Sequence, residues 1–579
     1  RVLTPRGFEQ SQFDPALELR NTGQLAEGHS GSQAASARPT YQSLAGTFGL
    51  QTSHKRDGMS LTSDTHLLGA NERANALRFG EQGDQASPID LADYVLRLEG
   101  RNTVLSVGQV STGMNRHLIN GFASRGVTAV VAGSRAQWSV GVENGTSIVG
   151  TDNITGLAHG DHRIVSSGLA WEVLPSRAGA LHVDATLLHG SLSSTPGFTS
   201  GGIISADQSD GLGVQVAAST PSQRVRLAAG LSSSSSRYAA DPPLLSGGSI
   251  IRSPAHRKAA RYAEVNVGVL QDRKVFRTVP VTLNLSLNHE RVDPLYRSVG
   301  IHTQSDMARN GLGVSGNIDV VSVQVAHGRT TDNLDDVASL LTSRTRSSSA
   351  MLGTPLAALL RITHRAELLP TLSYGVQRMH QFGAGIPTGG LFTASDIPDQ
   401  LSLVHDASLQ WQVKQWQVAY RVNVSDQDNR QPGRTLADFA TQTQGVTIGV
   451  TASSTLTLGL DLGLERQENK ELSQVNHVRR AGLTGNWRPT PLTTLDGSVT
   501  VSSTRDPGAG TDAHVSSMQA GISRGIKLWR SADGAPRGQA FLRFSRQSNE
   551  LINLGRFFAP PSQQGSLWNV ASGLSLRLF

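Results

Sequence analysis

Apolar and polar residues alternate strictly along many segments of this chain. In the segment around residue 460, Leu456, Leu458 and Leu460 share one parity, while Asp461 has the other. Successive side chains of a β-strand point to opposite faces, so this period of two predicts strands with one apolar and one polar face. Residues 416–425 repeat the pattern, and nothing in the chain shows a comparable run at helical spacing. The pattern therefore predicts an all-β protein.

The length of the alternating segments favours strands that cross a membrane. Many segments alternate over about 11–15 residues, whereas strands of globular proteins commonly have about 5–6. A membrane-crossing strand needs about 9–11 residues, and longer strands project beyond the bilayer. The polar face carries Gly, Ser, Thr, Asn, Gln and single charges, which is typical of a hydrated lumen.

The connections between the alternating segments differ in length in a regular order. Short turns at positions such as 414–415 and 453–455 alternate with longer polar stretches such as 73–89 and 384–400. Short periplasmic turns alternating with long extracellular loops are typical of outer-membrane barrels. Pattern and turn signals together predict about 26 strands, with 24 as the lower bound, and an even count places both termini on the side of the short turns.

These observations predict a single large antiparallel transmembrane β-barrel. Residues 1–13 would form a periplasmic lead-in, and residues 14–579 would form the barrel domain. Residues 354–370 interrupt the alternation on the periplasmic side. They are compatible either with a short helix capped by Thr354, with Pro355 at its first position, or with a strand pair.

Six of the tryptophans lie within a few residues of a predicted periplasmic turn. Amphipathic indole rings prefer the headgroup level of a bilayer, so this clustering predicts a girdle at one membrane interface. The alternative is that they are ordinary core or edge aromatics. The six residues are Trp138, Trp171, Trp411, Trp416, Trp487 and Trp529.

The last seven residues, GLSLRLF, resemble the signal by which the barrel-assembly machinery recognises bacterial outer-membrane proteins. Gly573, Leu576 and Leu578 match its glycine and two alternating apolar residues, and Phe579 supplies its terminal aromatic, although by parity Phe579 falls on the polar face. The resemblance implies a location in the outer membrane of a Gram-negative bacterium. It also implies contact with outer-membrane lipid and lipopolysaccharide and recognition by the assembly machinery. The strand number is similar to that of the barrel components of outer-membrane multihaem electron conduits, whose Cys-pair motif is missing here.

The composition excludes several classes of chemistry. The 579 residues include no Cys, which excludes disulfides, thiolate metal sites and a Cys nucleophile on this chain. The net charge of +7 is small for this length, and the basic residues are scattered, so a nucleic-acid partner is not expected. We expect no cofactor and no enzymatic activity.

Charged and polar residues of the predicted inner face are the candidate functional residues. The arginines among them would bias the lumen towards anionic cargo, or would pair with lumen carboxylates such as Asp461 and Asp496. The predicted lumen-lining residues are Arg421, Asn423, Asp461, Arg480, Arg488, Asp496 and Arg543.

Three further motifs are interpreted as structural rather than chemical. The G-x-S-x-G spacing at 521–525 lies inside a predicted strand, whereas a nucleophile elbow needs a strand–turn–helix context. His159 and His162 lie in or beside an outer loop without a defined third metal ligand. Residues 332–336 offer oxygens to a calcium ion but lack the spacing of a known calcium loop.

The predicted strand number sets the expected function. Barrels of about 16–18 strands leave an aqueous channel, and 22-stranded transporters carry a plug, so about 26 strands predict a wider lumen. Either loops fold inward, or another polypeptide fills the lumen. We favour a lumenal or periplasmic protein partner, or an upstream fused domain. The expected function is a pore or translocator for a protein, filament or polymer. The alternatives are a structural sheath with a permanently filled lumen and, third, an outer-membrane enzyme.

Overall fold

The chain forms one closed antiparallel β-sheet of 26 strands. The computed structural model describes residues 9–34, 36–145, 150–158, 162–174, 177, 179–192, 206–239, 256–275, 278–388, 392–527, 537–555 and 560–578. Each strand pairs with the next along the chain, and β1 pairs with β26 from Glu18 opposite Arg577 to Gly31 opposite Gly565. The predicted all-β antiparallel barrel and its strand number are confirmed.

The strands are numbered in chain order from β1 to β26. The first half comprises β1 (Gln10–Gly31), β2 (Tyr41–Arg56), β3 (Met59–Ala70), β4 (Ile89–Glu99), β5 (Thr103–Thr112), β6 (Phe122–Ala132), β7 (Ala136–Asn144), β8 (Arg163–Glu172), β9 (Leu181–Leu192), β10 (Ala206–Ser219), β11 (Val225–Ala239), β12 (His256–Val275) and β13 (Val279–Val292). The second half comprises β14 (Met307–Ile318), β15 (Val321–Thr331), β16 (Ser343–Pro355), β17 (Thr371–Gly383), β18 (Asp399–Val413), β19 (Trp416–Asn429), β20 (Phe439–Ser453), β21 (Leu456–Asn469), β22 (Gln474–Thr490), β23 (Thr493–Asp506), β24 (Thr511–Ile526), β25 (Gly538–Asn553) and β26 (Gln563–Arg577).

Most connections alternate in length as predicted, and the exceptions include the short connections 470–473 and 507–510 at the long-connection end and the long connection 356–370 at the short-turn end. At one end of the barrel, two-residue turns such as Asp57–Gly58 join the strands, and both residues have the positive φ that a tight hairpin turn requires. Connections such as 71–88 and 384–398 lie at the other end. Strand β1 begins at Gln10, four residues before the predicted start of the barrel domain, at the end that carries the short turns.

The few helices of the described chain are short and lie in connections. The α-helices are α1 (Phe79–Gln82) and α2 (Leu356–Leu359), and the 3-10 helices are Arg73–Asn75, Gly83–Gln85, Thr151–Asn153, Ala366–Leu368 and Ala394–Asp396. Among the described residues, no helix has the length and apolar character needed to span a bilayer.

The predicted helix at 354–370 exists in a shorter form, and its predicted cap is wrong. Thr354 belongs to β16, where it lies opposite Leu372, and Pro355 occupies the cap position of α2. The ladder holds the backbone of Thr354 extended, so the helix begins one residue later than predicted, at Leu356, and has only one turn.

The two faces of the sheet differ in polarity. The outer face exposes large apolar side chains, among them Leu458, Leu462 and Trp138. The opposite face carries Asp461 and other polar residues, and loops from the long-connection end pack against it. A closed barrel satisfies its backbone hydrogen bonds without water, and an apolar outer belt covers its lipid-facing surface. The protein is therefore a barrel of the Gram-negative outer membrane, with its polar face towards the lumen.

Candidate functional site: the lumen wall and its inward-folded loops

Six of the seven predicted lumen residues share the polar face of the sheet. Arg421 lies opposite Gly445, Gly445 opposite Gly463, and Gly463 opposite Arg480, so two glycines separate the two arginines along one row. A second row runs from Asp496 through Gly521 to Arg543. Residues directly opposite in a ladder point to the same side. The six residues are Arg421, Asn423, Asp461, Arg480, Asp496 and Arg543.

The seventh, Arg488, lies where the ladder is irregular. The pairing of β22 with β23 shifts register between Trp487 and Thr490, at the short-turn end of the barrel. Its backbone N–H donates to the carbonyl of Thr455 at 2.7 Å. The lumen-facing assignment of Arg488 therefore stays a prediction.

The carboxylate that pairs with the lumen residue Arg480 is not one of the two named from the sequence. Arg480 forms its ion pair with Glu465, at 3.3 Å, and not with Asp461. The carboxylate of Asp461 instead accepts a hydrogen bond of 2.9 Å from the hydroxyl of Thr447. Glu465 has the same parity as Asp461 in β21, and this parity was the signal that could have identified it.

A loop between β5 and β6, residues 113–121, folds into the lumen and is here called the first inner loop. The carbonyl oxygen of the Asn115 side chain accepts a 2.7 Å hydrogen bond from the hydroxyl of Ser232 on β11. The same oxygen accepts the backbone N–H groups of His117 and Leu118, each at 3.2 Å, which fixes the turn of the loop. The Gln215 side chain on β10 donates to the carbonyl of Met114 at 2.8 Å. The loop is thus anchored on neighbouring strands of the wall.

An apolar cluster holds the tip of the first inner loop. Leu118 and Ile119 are fully buried, and they pack with Ile164 of β8, Leu188 of β9 and Val299. Removing such side chains from water is the main favourable contribution to packing of this kind, of the order of 1.5–3 kcal/mol per side chain. The loop is therefore an integral part of the wall.

Glycines on the wall make space for this loop. A β-carbon at Gly211 would overlap the side chain of Leu118, and one at Gly168 would overlap the side chain of Met114. The loop crosses the polar face at these glycines, and its close approach depends on the absence of a side chain there.

The connection between β13 and β14, residues 293–306, forms a second inner loop that covers the first. The hydroxyl of Tyr296 donates to the carbonyl of His117 at 2.8 Å, and Ile119 forms a parallel bridge with Gly300. Burial raises the pKa of the Tyr296 hydroxyl well above its ordinary value, so this group remains a donor. The two loops therefore act as one folded unit on the wall.

Charged side chains connect Arg116 and His117 of the first inner loop to Glu264 of β12 and Glu290 of β13. Arg116 pairs with Glu264, its Nε lies 3.7 Å from Glu290, and its guanidinium lies 4.6 Å from the ring centre of Tyr262. His117 also contacts Glu290, at 2.7 Å from Nε2. Burial disfavours the charged form of Arg116, but the hydrogen bond to Glu264 and the charge of Glu290 outweigh it and raise the pKa.

Of the two expected ways of filling the lumen, inward-folded loops are present, while the protein partner stays a prediction. The structure shows inward-folded loops whose contacts run from β7 to β13. The signal in the sequence was the apolar content of the loop, with Met114, Leu118 and Ile119 in an otherwise polar connection.

The tryptophans near the short turns lie on the outer surface or pair with residues there. Trp138, Trp171, Trp416 and Trp487 are exposed, and Trp411 lies opposite Val418 in the ladder. Trp529 lies outside the described residues. The role of these indoles as an interface girdle stays a prediction.

The C-terminal residues of the predicted assembly signal close the barrel. Leu576 lies between Leu19 of β1 and Gly538 of β25, and the backbone N–H of Leu578 donates to the carbonyl of Leu17 at 2.8 Å. Gly573 lies opposite Phe541, whose ring occupies the space that a β-carbon would fill. Phe579 lies outside the described residues. Recognition by the assembly machinery stays a prediction.

The remaining motifs show no assembled chemical site within the described part of the chain. Residues 521–525 lie inside β24, and His162 contacts the hydroxyl of Ser191 at 3.3 Å, whereas His159 lies outside the described residues. Asn333 is buried, its amide nitrogen donates to carbonyls of its own loop, and its side-chain oxygen accepts the backbone N–H of Val337 at 2.9 Å. The described residues include no group of three or more His, Asp or Glu suited to a metal ion.

Comparison with known proteins gives only distant structural likenesses. No family model matches the sequence, and no curated protein matches it. The ferric enterobactin receptor PfeA of Pseudomonas aeruginosa aligns with 98% of this chain and 81% of its own, at 10% identity and a TM-score of 0.36. The siderophore receptor PirA of the same organism aligns with 100% and 81%, at 10% identity and 0.34. OccK1 (OpdK) of P. aeruginosa aligns with 76% and 99%, at 12% identity and 0.27. Likeness at this level carries no functional argument.

Proposed function

We propose that this barrel is a wide transport pore through which a protein, filament or polymer crosses the outer membrane. The observation that supports this proposal is the closure of 26 strands around a polar lumen. Strands about 4.8 Å apart and tilted by about 40° give a circular barrel on the order of 50 Å across between backbones. Among the described residues, the inner loops contact the wall from β7 to β13, and the wall from β14 to β26 lies outside those contacts, which supports a broad passage beside them.

The chemistry of the wall supports a hydrated cargo. Acidic and basic side chains alternate along it with glycine and hydroxyl residues, as in the row from Asp496 through Gly521 to Arg543. The polar ends of Arg480 and Glu465 meet each other, which leaves neither charge to dominate the local field. A mixed, polar wall of this kind favours a wet contact with another polypeptide or polymer over tight binding of one small ligand. The proposal assigns no catalytic role to the barrel.

Solute release from proteoliposomes tests the proposal directly. Vesicles containing the purified barrel are loaded with dextrans of graded size, and we expect release of chains up to on the order of 30 Å in diameter, the estimated backbone width less the side chains. A variant with residues 114–120 replaced by a glycine–serine linker should release larger chains, because the first inner loop narrows the passage.

The control variant changes a connection that, among the described residues, does not contact the inner loops. A variant with residues 431–437 replaced by a glycine–serine linker of the same length should behave as the wild type, since that connection joins β19 to β20 away from the inner loops. Retention of small sugars by the folded wild-type barrel would contradict the pore and favour a permanently filled sheath.

A further inference from the structure

Seven arginines lie on the outer surface of β12 to β17, near the ends that carry the long connections. Alternation places Arg329 on the same face as the exposed Val325, and Arg346 on the same face as the exposed Leu352. We call the set the arginine stripe. Its members are Arg257, Arg261, Arg291, Arg329, Arg344, Arg346 and Arg378.

The stripe places like charges directly opposite each other. Arg329 lies opposite Arg346 in the pairing of β15 with β16, and Arg261 lies opposite Arg291 in that of β12 with β13. Opposite residues of an antiparallel pair have β-carbons about 4.5–5.5 Å apart, and like charges there are destabilising. Two such pairs on adjacent parts of one surface therefore call for a counter-charge.

The described residues supply little of that counter-charge. Among them, no carboxylate lies within 4.0 Å of the guanidinium of Arg329, Arg346 or Arg378, and Arg291 has Asp293 at 3.5 Å. The outer surface elsewhere is different, since Arg466 on β21 pairs with Glu468 at 2.9 Å. Asp399 of β18 lies on the same face and contacts His380 at 2.7 Å, so among the described residues the stripe keeps an excess of positive charge.

The position of the stripe indicates where the balancing anions lie. Arg346 is three residues from the outer start of β16, and Leu352 follows six residues further along the same face. A rise of about 3.3 Å per residue at a tilt of about 40° places Arg346 roughly 15 Å above Leu352 along the membrane normal. The guanidinium groups therefore lie at the boundary between the apolar belt and the outer headgroup region. The ring of Phe382, centred 5.2 Å from the guanidinium carbon of Arg346, belongs to the same boundary.

We propose that the arginine stripe binds the phosphate groups of a phosphorylated glycolipid in the outer leaflet. A guanidinium presents a planar fork of donors that matches phosphate geometry, and one phosphate bridging Arg329 and Arg346 would convert their repulsion into two charge-assisted contacts. The bound lipid would form a fixed part of the barrel surface on the sector that also carries the inner loops at β12 and β13. This site is separate from the lumen and is independent of the transport proposal.

Binding of bisphosphorylated lipid A to the purified barrel, measured by native mass spectrometry, tests the site. The double variant R329Q/R346Q should lose affinity by about tenfold or more, since it removes both charge-assisted contacts to the phosphate. The matched control is R430Q/R434Q, which removes two exposed loop arginines that have their own carboxylates, Asp428 and Glu471. The control should bind lipid A as the wild type does. R329K/R346K should recover part of the affinity, because lysine keeps the charge but not the fork.

Further arms distinguish the source of the phosphate and the state of the protein. Dephosphorylated lipid A should bind at least tenfold more weakly than the bisphosphorylated form, and inorganic phosphate at the same concentration should not compete with it. Equal binding of the two lipids, or equal binding by R329Q/R346Q in its folded, heat-modifiable form, would overturn the proposal. Effective competition by inorganic phosphate would show a site for free anions and would overturn the lipid assignment. If R329Q/R346Q does not fold, the single variants R344Q and R378Q carry the same comparison.

Discussion

At the residue scale, single glycines decide whether the inner loops can reach the wall. Gly211 lies on the lumen face of β10, where any β-carbon would overlap the side chain of Leu118. A β-carbon placed at Gly463, also on the lumen face, would lie 3.7 Å from the β-carbon of Arg480, an ordinary contact distance. Both glycines lie on the lumen face of their strands, but only Gly211 supports a contact with an inner loop.

We expect G211L to displace the first inner loop while the barrel remains folded. Forcing extra atoms into a packed contact costs about 1–3 kcal/mol, so the amide of Ile119, bonded to the carbonyl of Asn115 at 3.1 Å, should exchange with solvent roughly tenfold faster or more. Hydrogen exchange followed by mass spectrometry measures this. The control G463A should leave the exchange of residues 114–121 unchanged. Unchanged exchange in G211L would show that the loop is not held by this contact.

At the element scale, each strand is specified by the polarity of its two faces. In β21, Leu458 and Leu462 are exposed on the outer surface, while Asp461 and Glu465 interact with side chains of neighbouring strands on the lumen face. A shift of one residue in the pairing would turn the carboxylates towards lipid, where a charged side chain is destabilising in a depth-dependent way. The register of the strand is therefore strongly determined by its own sequence.

Cysteine substitutions along β21 test this two-faced arrangement in a chain without native cysteine. In membranes, a water-soluble thiol reagent should label D461C and G463C within the hydrated lumen. The same reagent should miss L458C and L462C, because those positions face lipid. The alternate positions of one strand serve as each other's controls. Labelling of positions 458 and 462 in preference to 461 and 463 would invert the assignment of the faces.

At the scale of the whole molecule, the closure of the sheet determines what the inner loops can and cannot fill. The contacts of the loops run from β7 to β13, while the pairing continues through β26 back to β1. A lumen on the order of 50 Å across is much wider than a loop of nine residues anchored on one wall. The remaining wall is polar and carries charges of both signs.

We expect a protein partner to occupy the lumen or to lie directly beneath it in the native membrane. The complex extracted in mild detergent should then have a mass greater than that of the denatured barrel chain, and a cross-linker at lumen position 461 should capture the additional polypeptide. The same cross-linker at the lipid-facing position 458 is the control. A single species with the mass of the denatured chain and no cross-linked product at position 461 would argue against a partner.

The architecture of this barrel could be predicted from the sequence because its determinants are local. Alternating polarity fixes which side of each strand faces lipid, and turn residues such as Asp57 and Gly58 fix where the hairpins form. An even number of strands, joined by short and long connections in turn, leaves a closed barrel as the consistent solution. The lumen-facing parity of Arg421, Asp461 and Arg543 follows from the same period of two.

The tertiary structure alone decided which residues meet across the lumen wall. Asn115 and Ser232 are 117 positions apart, and His117 and Tyr296 are 179 apart, so no local period relates them. Their contacts arise because the first inner loop folds back onto the wall at positions occupied by glycine. Burial of Leu118 and Ile119 there offsets the loss of chain entropy. The facing arginines 329 and 346 likewise become neighbours only when β15 pairs with β16 in one register. Sequence period determines the face of each residue, whereas the ladder and the loops determine its partners.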